Sequence, residues 1–153
     1  MMADVGFKHM TAEPFTFLHG KVETGFDGIG EAGQEILAGL EPFIAANGIT
    51  VTGPGVWSYN QLGGGRVLLR AGVPIQAGPQ SRDGFFVTRE DEWKCVSTEY
   101  LGSMAGIGIA WDRFIAAILE AGLVPAKENR EIYRKWIAMD SPENVTELQV
   151  RIA

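Results

Sequence analysis

Aromatic and β-branched residues nearly alternate with polar ones through Phe15-Thr16-Phe17-Leu18-His19-Gly20-Lys21-Val22, the period-two pattern of a half-buried strand. This is the first strand the pattern predicts. From Gly30 to Ala46 the period changes: Ala32, Ile36, Leu37, Leu40, Phe43 and Ile44 recur at three- and four-residue steps before Asn47-Gly48 supplies a left-handed stop. The spacing predicts an amphipathic helix, with Pro42 expected to kink it or end it early. Ile49 to Asn60 and Arg66 to Ile75 then read as two strands of a hairpin, separated by the turn-forming run Gly63-Gly64-Gly65.

Gln76 to Asp83, with Gly78, Pro79 and Ser81 and little apolar content, reads as a crossing between two halves. Beyond it the order repeats. Trp93 to Tyr100 predicts a strand, and Met104, Ile107, Trp111, Phe114, Ile115 and Ile118 stripe a helix over 103–121 that stops at Gly122. Two strands follow near Arg130 to Ala138 and Thr146 to Ile152. The helix-stop glycines Gly48 and Gly122 lie 74 positions apart, as do the strand tyrosines Tyr59 and Tyr133, so an internal duplication is the economical reading. The predicted fold class is α+β: a tandem βαββ repeat with pseudo-twofold symmetry, forming one antiparallel sheet with both helices on one face. The whole chain, 1–153, is then a single domain made of halves near 13–78 and 90–153.

Charge and composition narrow the function. The 13 basic and 19 acidic residues give a net charge of −6, the wrong sign for holding a phosphate backbone, so no direct nucleic-acid partner is expected. The single Cys95 pairs with nothing in its own chain and reads as a buried apolar filler; with only His9 and His19 beside it, no metal-ligand set is expected. His19 reads as a satisfied polar residue on a strand edge. No apolar run is long enough to span a membrane and no leader pattern opens the chain, which points to a soluble, cytoplasmic protein with no membrane partner. Asn144-Val145-Thr146 matches a glycosylation acceptor and is read as chance.

A pseudo-twofold axis between the halves makes their junction a natural ligand cleft. Trp57 and Tyr59 stand there in the first half, Glu131 and Tyr133 in the second, each pair two residues apart and so directed to one face. A carboxylate among aromatic rings is poorly solvated and attracts a lipophilic cation, with each ring adding cation–π attraction of ~0.5–2 kcal/mol. The competing reading makes the aromatics ordinary core residues and places Glu131 in a solvated cluster with Glu128 and Arg130. Trp111, on the apolar stripe of the second helix, is a core residue by default, yet its edge is within reach of the cleft if the helix lies over the sheet.

These motifs resemble a known family. Gly48-Ile49-Thr50-Val51-Thr52-Gly53-Pro54, Tyr59 and Ala71-Gly72-Val73-Pro74-Ile75 are similar to the first half of the GyrI-like small-molecule-binding domain, which is also the effector-binding domain of AraC- and MerR-type transcription regulators. Tyr100-Leu101-Gly102, Trp111, Gly122-Leu123, Arg130-Glu131-Ile132-Tyr133 and Val145 to Ile152 are similar to the second half. The resemblance implies a stand-alone, bacterial member with a tandem SHS2-like fold and a groove on the pseudo-dyad. It passes to Glu131 the role of the pocket glutamate that meets cationic, aromatic drugs in multidrug-binding relatives, with Tyr133, Trp57, Tyr59 and Trp111 completing the ligand site. Arg151, where a proline is frequent, and the Gly63-Gly64-Gly65 insertion depart from the pattern.

Three functions are compatible with that family. The first expectation is a small-molecule sensor or scavenger, not an enzyme, with no cofactor and with any transcriptional effect exerted through a separate regulator. The alternative is a hydrolase of cyclopropane-bearing electrophiles in which Glu131 and Tyr133 are catalytic. A second alternative is a protein inhibitor that docks on a DNA topoisomerase through its acidic surface.

Overall fold

The computed structural model describes residues 6–152, and its framework is a single eight-stranded antiparallel sheet. The strands are β1 (Lys8–Ala12), β2 (Phe15–Gly25), β3 (Val56–Gly63), β4 (Arg66–Ile75), β5 (Phe86–Glu90), β6 (Trp93–Leu101), β7 (Pro125–Lys135) and β8 (Val145–Ile152). Helix α1 (Ile29–Ala46) follows β2 and helix α2 (Ile107–Glu120) follows β6, each entered through one turn of 3-10 helix. The spatial order is β1-β6-β8-β7-β3-β4-β2-β5, so β3 and β7 meet at the centre. The tandem βαββ architecture expected from the repeat is therefore present, with both helices on one face.

The pseudo-twofold axis falls at one residue pair. Trp57 and Glu131, 74 positions apart and hence equivalent in the repeat, are also direct cross-strand partners in the β3–β7 ladder. The axis passes between them. Upstream of the helices the repeat runs at a spacing of 78: β1 and β5, β2 and β6, and α1 and α2 all begin 78 residues apart. The change from 78 to 74 comes from α1 having 18 residues and α2 having 14, about one turn fewer. Gly28-Ile29-Gly30 and Gly106-Ile107-Gly108 mark the earlier register.

Two strands escape the sequence pattern. β1 precedes the strand taken as first and pairs with β6 on the outer edge of the second half, while β5 pairs with β2 on the outer edge of the first. Each half thus lends its leading strand to the other, and neither is complete without its partner. Both are five residues long and polar in part, too short for periodicity to register.

Other boundaries move for local reasons. α1 runs through Pro42 to Ala46 without an early end, because Leu40, Phe43 and Ile44 pack with Leu18 and Ile75 on the sheet. The strand expected from Ile49 starts only at Val56; Gly53-Pro54-Gly55 interrupts it, leaving one bridge from Val51 to Ile75. β7 begins at Pro125 and stops at Lys135, short of Trp136. The glycine run turns the hairpin as expected, with positive φ at Gly63, Gly64 and Gly65.

Besides the Leu18, Leu40 and Ile75 cluster under α1, the helix-side core has a cluster beside the axis in each half. Trp57, Tyr59, Val67, Leu69 and Ala71 pack under α1, and Val96, Phe114, Ile118, Leu148 and Val150 pack around α2. The opposite face curls inward: Glu90 on β5 comes within 3.8 Å of Arg130 on β7, four strands away. His19 lies inside that concavity, not on an edge. It is 2% exposed, ring-stacked with Phe17 at 4.6 Å, and its one polar contact among the described residues is Nδ1 to the Phe17 carbonyl at 3.4 Å. Cys95 is buried beside Ala12 and Trp93, and burial raises its thiol pKa. Asn144 is fully buried, accepting from the Ile137 N–H at 2.8 Å and donating to the Ala138 carbonyl at 2.6 Å, so its side chain builds a loop and is closed to glycosylation.

Candidate functional site

Alternation along β3 and β7 sends Trp57, Tyr59, Glu131 and Tyr133 to the helix side of the sheet, on either side of the axis. The five residues singled out in the sequence converge there. Tyr59 Oη donates to Glu131 Oε1 at 2.9 Å and Tyr133 Oη donates to the same oxygen at 2.6 Å. Trp111 Nε1, from the second turn of α2, donates to Oε2 at 2.6 Å. Trp57 meets Tyr133 edge-to-face at 5.9 Å, and Trp136 continues the aromatic run from Tyr133 at 5.6 Å out to solvent, where it is 44% exposed.

Glu131 is 5% exposed. It forms no ion pair among the described residues; its donors are two hydroxyls and an indole, all neutral. Arg130, which the sequence would place in a solvated cluster with it, points to the opposite face. Burial pushes the Tyr59 hydroxyl well above its usual pKa, and the nearby Glu131 carboxylate adds to the effect. Tyr133 is pushed well up as well, by burial first and then by Tyr59 and Glu131. Both phenols are therefore protonated donors at neutral pH.

The two halves fill equivalent positions differently. In the second half Glu131 on the strand faces Trp111 on the helix. In the first half the equivalents are Trp57 on the strand and Gly33 on the helix. A Cβ at Gly33 would collide with Cη2 and Cζ3 of Trp57, so the indole lies directly against the α1 backbone. Each side of the axis holds one tryptophan, delivered by the strand in one half and by the helix in the other. Periodicity did not single out Gly33; the 78-residue spacing from Trp111 is the signal that marks it. Gly55 was also missed: its carbonyl accepts from the Tyr133 N–H at 3.0 Å and fixes that tyrosine's strand beside the axis.

Among the described residues, no group of three or more His, Cys, Asp or Glu is placed to hold a metal, and no helix is long and apolar enough to cross a membrane.

The architecture is the GyrI-like fold that the motifs imply. The chain superimposes on the C-terminal domain of EcmrR with a TM-score of 0.77 at 14% identity, over 97% of this chain and 98% of that domain. It also matches the EcmrR chain in a DNA complex, with a TM-score of 0.78 at 12% identity over 96% of this chain, and spans 57% of that chain's length. The protein SAV2435 bound to tetraphenylphosphonium gives a TM-score of 0.65 at 14% identity, covering 97% of this chain and 94% of that one. A hydrolase from Listeria innocua gives 0.64 at 12% identity, covering 96% and 91%. At these identities the likeness is one of fold. By sequence, no family model and no curated protein matches the chain.

Proposed function

We propose that this chain binds small lipophilic, aromatic cations in the helix-face site, as a sensor or scavenger, with Glu131 as counter-charge and Trp57, Tyr59, Trp111 and Tyr133 as walls. One observation carries the reading: a buried carboxylate whose three partners are all neutral donors. Hydrogen bonds from neutral groups hold the anion in place but cancel none of its charge. In a poorly solvated setting that charge attracts a cation strongly, and a delocalised cation loses little hydration on entering. The tryptophan rings on both sides of the axis add cation–π attraction of ~0.5–2 kcal/mol each. That a fold neighbour, SAV2435, was solved with the lipophilic cation tetraphenylphosphonium supports the same chemistry.

The hydrolase reading uses the same residues and has a fold neighbour described as a hydrolase. It asks Glu131 to take a proton from water, yet Oε1 is filled by two hydroxyls and Oε2 already accepts from Trp111. That arrangement suits a counter-ion better than a base.

A tryptophan-fluorescence titration of wild type and Glu131→Gln with tetraphenylphosphonium, a neutral aromatic and a cyclopropane electrophile tests the reading, with products checked by mass spectrometry. Expected is saturable binding of tetraphenylphosphonium, weakened in the variant by roughly 10- to 150-fold, or about 1.5–3 kcal/mol, with every compound recovered unchanged. Equal affinity in both proteins would remove Glu131 from the site. Turnover of the electrophile that the variant loses would instead make Glu131 a catalyst.

A further inference from the structure

Arg130 precedes Glu131 on β7 and therefore projects into the concave face of the sheet, away from the helices. There it is 5% exposed, with its guanidinium 4.0 Å from the centre of the Trp93 ring and 5.1 Å from that of Phe15. Phe15 and Trp93 are 78 positions apart and open equivalent strands, so the repeat supplies one aromatic from each half. Rings interact with the flat faces of a guanidinium and do not use its N–H groups, which lie along the edge.

Among the described residues that edge makes no hydrogen bond. The nearest carboxylate oxygen, Glu90 Oε1, lies 3.8 Å from Arg130 Nη2, beyond hydrogen-bond range, and is already committed. Arg70 holds Glu90 with both nitrogens, Nη2 to Oε1 at 2.7 Å and Nη1 to Oε2 at 3.0 Å, and Thr88 Oγ1 adds a third bond at 2.6 Å. Among the described residues Arg130 donates no hydrogen bond, although a buried arginine ordinarily spends most of its five N–H groups. Its nitrogens are not among the buried polar atoms sealed without a partner, which are Trp93 Nε1, Asn129 Oδ1, Thr146 Oγ1 and Gln149 Oε1. Each Arg130 nitrogen therefore keeps a small solvent-accessible surface. The trio Arg70, Arg130 and Glu90 carries one positive charge in excess, so a single monoanion would neutralise it.

We propose that the concave face binds a small carboxylate, held edge-on by the Arg130 guanidinium between Phe15 and Trp93. The planar fork of an arginine matches a carboxylate in a two-point hydrogen bond. The flanking rings favour a carboxylate attached to an apolar or aromatic body. Glu90 sets the charge limit, because a phosphate dianion would meet its repulsion at close range. This site is independent of the cation site, being built on the other side of the sheet.

Benzoate is the probe, with inorganic phosphate as a parallel arm, each titrated calorimetrically into the full chain. Benzoate should bind saturably to wild type and at least about tenfold more weakly to Arg130→Met, while tetraphenylphosphonium affinity in that variant stays within about twofold. Glu90→Gln should raise benzoate affinity severalfold. If either variant fails to fold, the Arg130 side-chain Nε–H resonance of the wild type reports directly, and it should shift saturably with benzoate. Equal benzoate binding in wild type and Arg130→Met, a resonance that benzoate does not move, or a preference for phosphate would each overturn the proposal.

Discussion

Adjacent residues of β7 bury opposite charges on opposite faces of one sheet, and the two are held in different ways. Among the described residues Glu131 accepts three hydrogen bonds but has no counter-charge, whereas Arg130 has a counter-charge at 3.8 Å but no hydrogen bond. Under the helices, neutral donors fix the geometry of the carboxylate. Inside the concavity, Arg70 has taken Glu90 and left Arg130 held chiefly by ring contacts. Hydrogen bonding and charge neutralisation are separate requirements of a buried ion, and each of these two residues meets only one of them.

The largest test of this contrast removes a wall. Trp57→Ala should cost about 3–5 kcal/mol of stability in chemical denaturation, because the ring fills the space against Gly33. Phe15→Ala, at a half-buried position on the other face, should cost clearly less; equal losses would mean that the concavity is packed as tightly as the helix side.

Acid should act through the concave face. Burial, followed by the charge of Arg70, lowers the His19 pKa to about 4 from its usual 6.5. Between those values the unfolded chain binds a proton that the folded chain refuses, so this contribution makes stability fall as pH drops from 6.5 toward 4, by roughly 2–3 kcal/mol. Denaturation at pH 7 and pH 4.5 measures it, and His19→Leu should flatten the dependence. Glu90 extends the acid window downward. Burial favours its neutral form, but hydrogen bonds from Arg70 and Thr88 and the charges of Arg70 and Arg130 outweigh that and hold it at about 2, so its contribution disappears as pH falls from about 4.5 toward 2.

Gly33→Ala should cost about 1–3 kcal/mol, since the added methyl meets the Trp57 ring, and should alter the fluorescence of the aromatic site without affecting Arg130. The smallest effect is alkaline. Tyr59 and Tyr133 stay protonated in the folded state above the pH where they ionise in the unfolded chain, so their contribution is present below about pH 10 and is lost above it. Arg130, lowered by burial to about 10, works the other way over the same range. Tyr133→Phe should therefore shallow the alkaline fall in stability without abolishing it.

The helix-face residues were legible because period-two spacing gives two residues of a strand one direction, and the repeat gives the strands one axis. Trp57, Tyr59, Glu131 and Tyr133 needed nothing more to be grouped, whereas the helix stripe by itself made Trp111 a core residue, and the helix lying over the sheet is what brings it to Glu131. Gly33 was hidden because the register read from the helix ends, 74, does not hold at the helix starts. The exchanged edge strands β1 and β5 were hidden by their length. Arg130 was hidden for a different reason: Lys127-Glu128-Asn129-Arg130-Glu131 looks like a solvated run, and the curl that brings Phe15 from three strands away and Glu90 from four buries it. Local pattern reports which face a side chain takes, but not whether a distant strand closes over that face.

The most direct measurement pairs two ions of the same shape and opposite charge. Tetraphenylphosphonium and tetraphenylborate should be titrated calorimetrically into wild type and Glu131→Gln. If the buried carboxylate is an unmatched charge awaiting a cation, wild type binds the phosphonium and discriminates against the borate, and the variant loses most of that preference. Equal affinity for the two ions in wild type, or a preference that survives the loss of the Glu131 charge, would contradict the account.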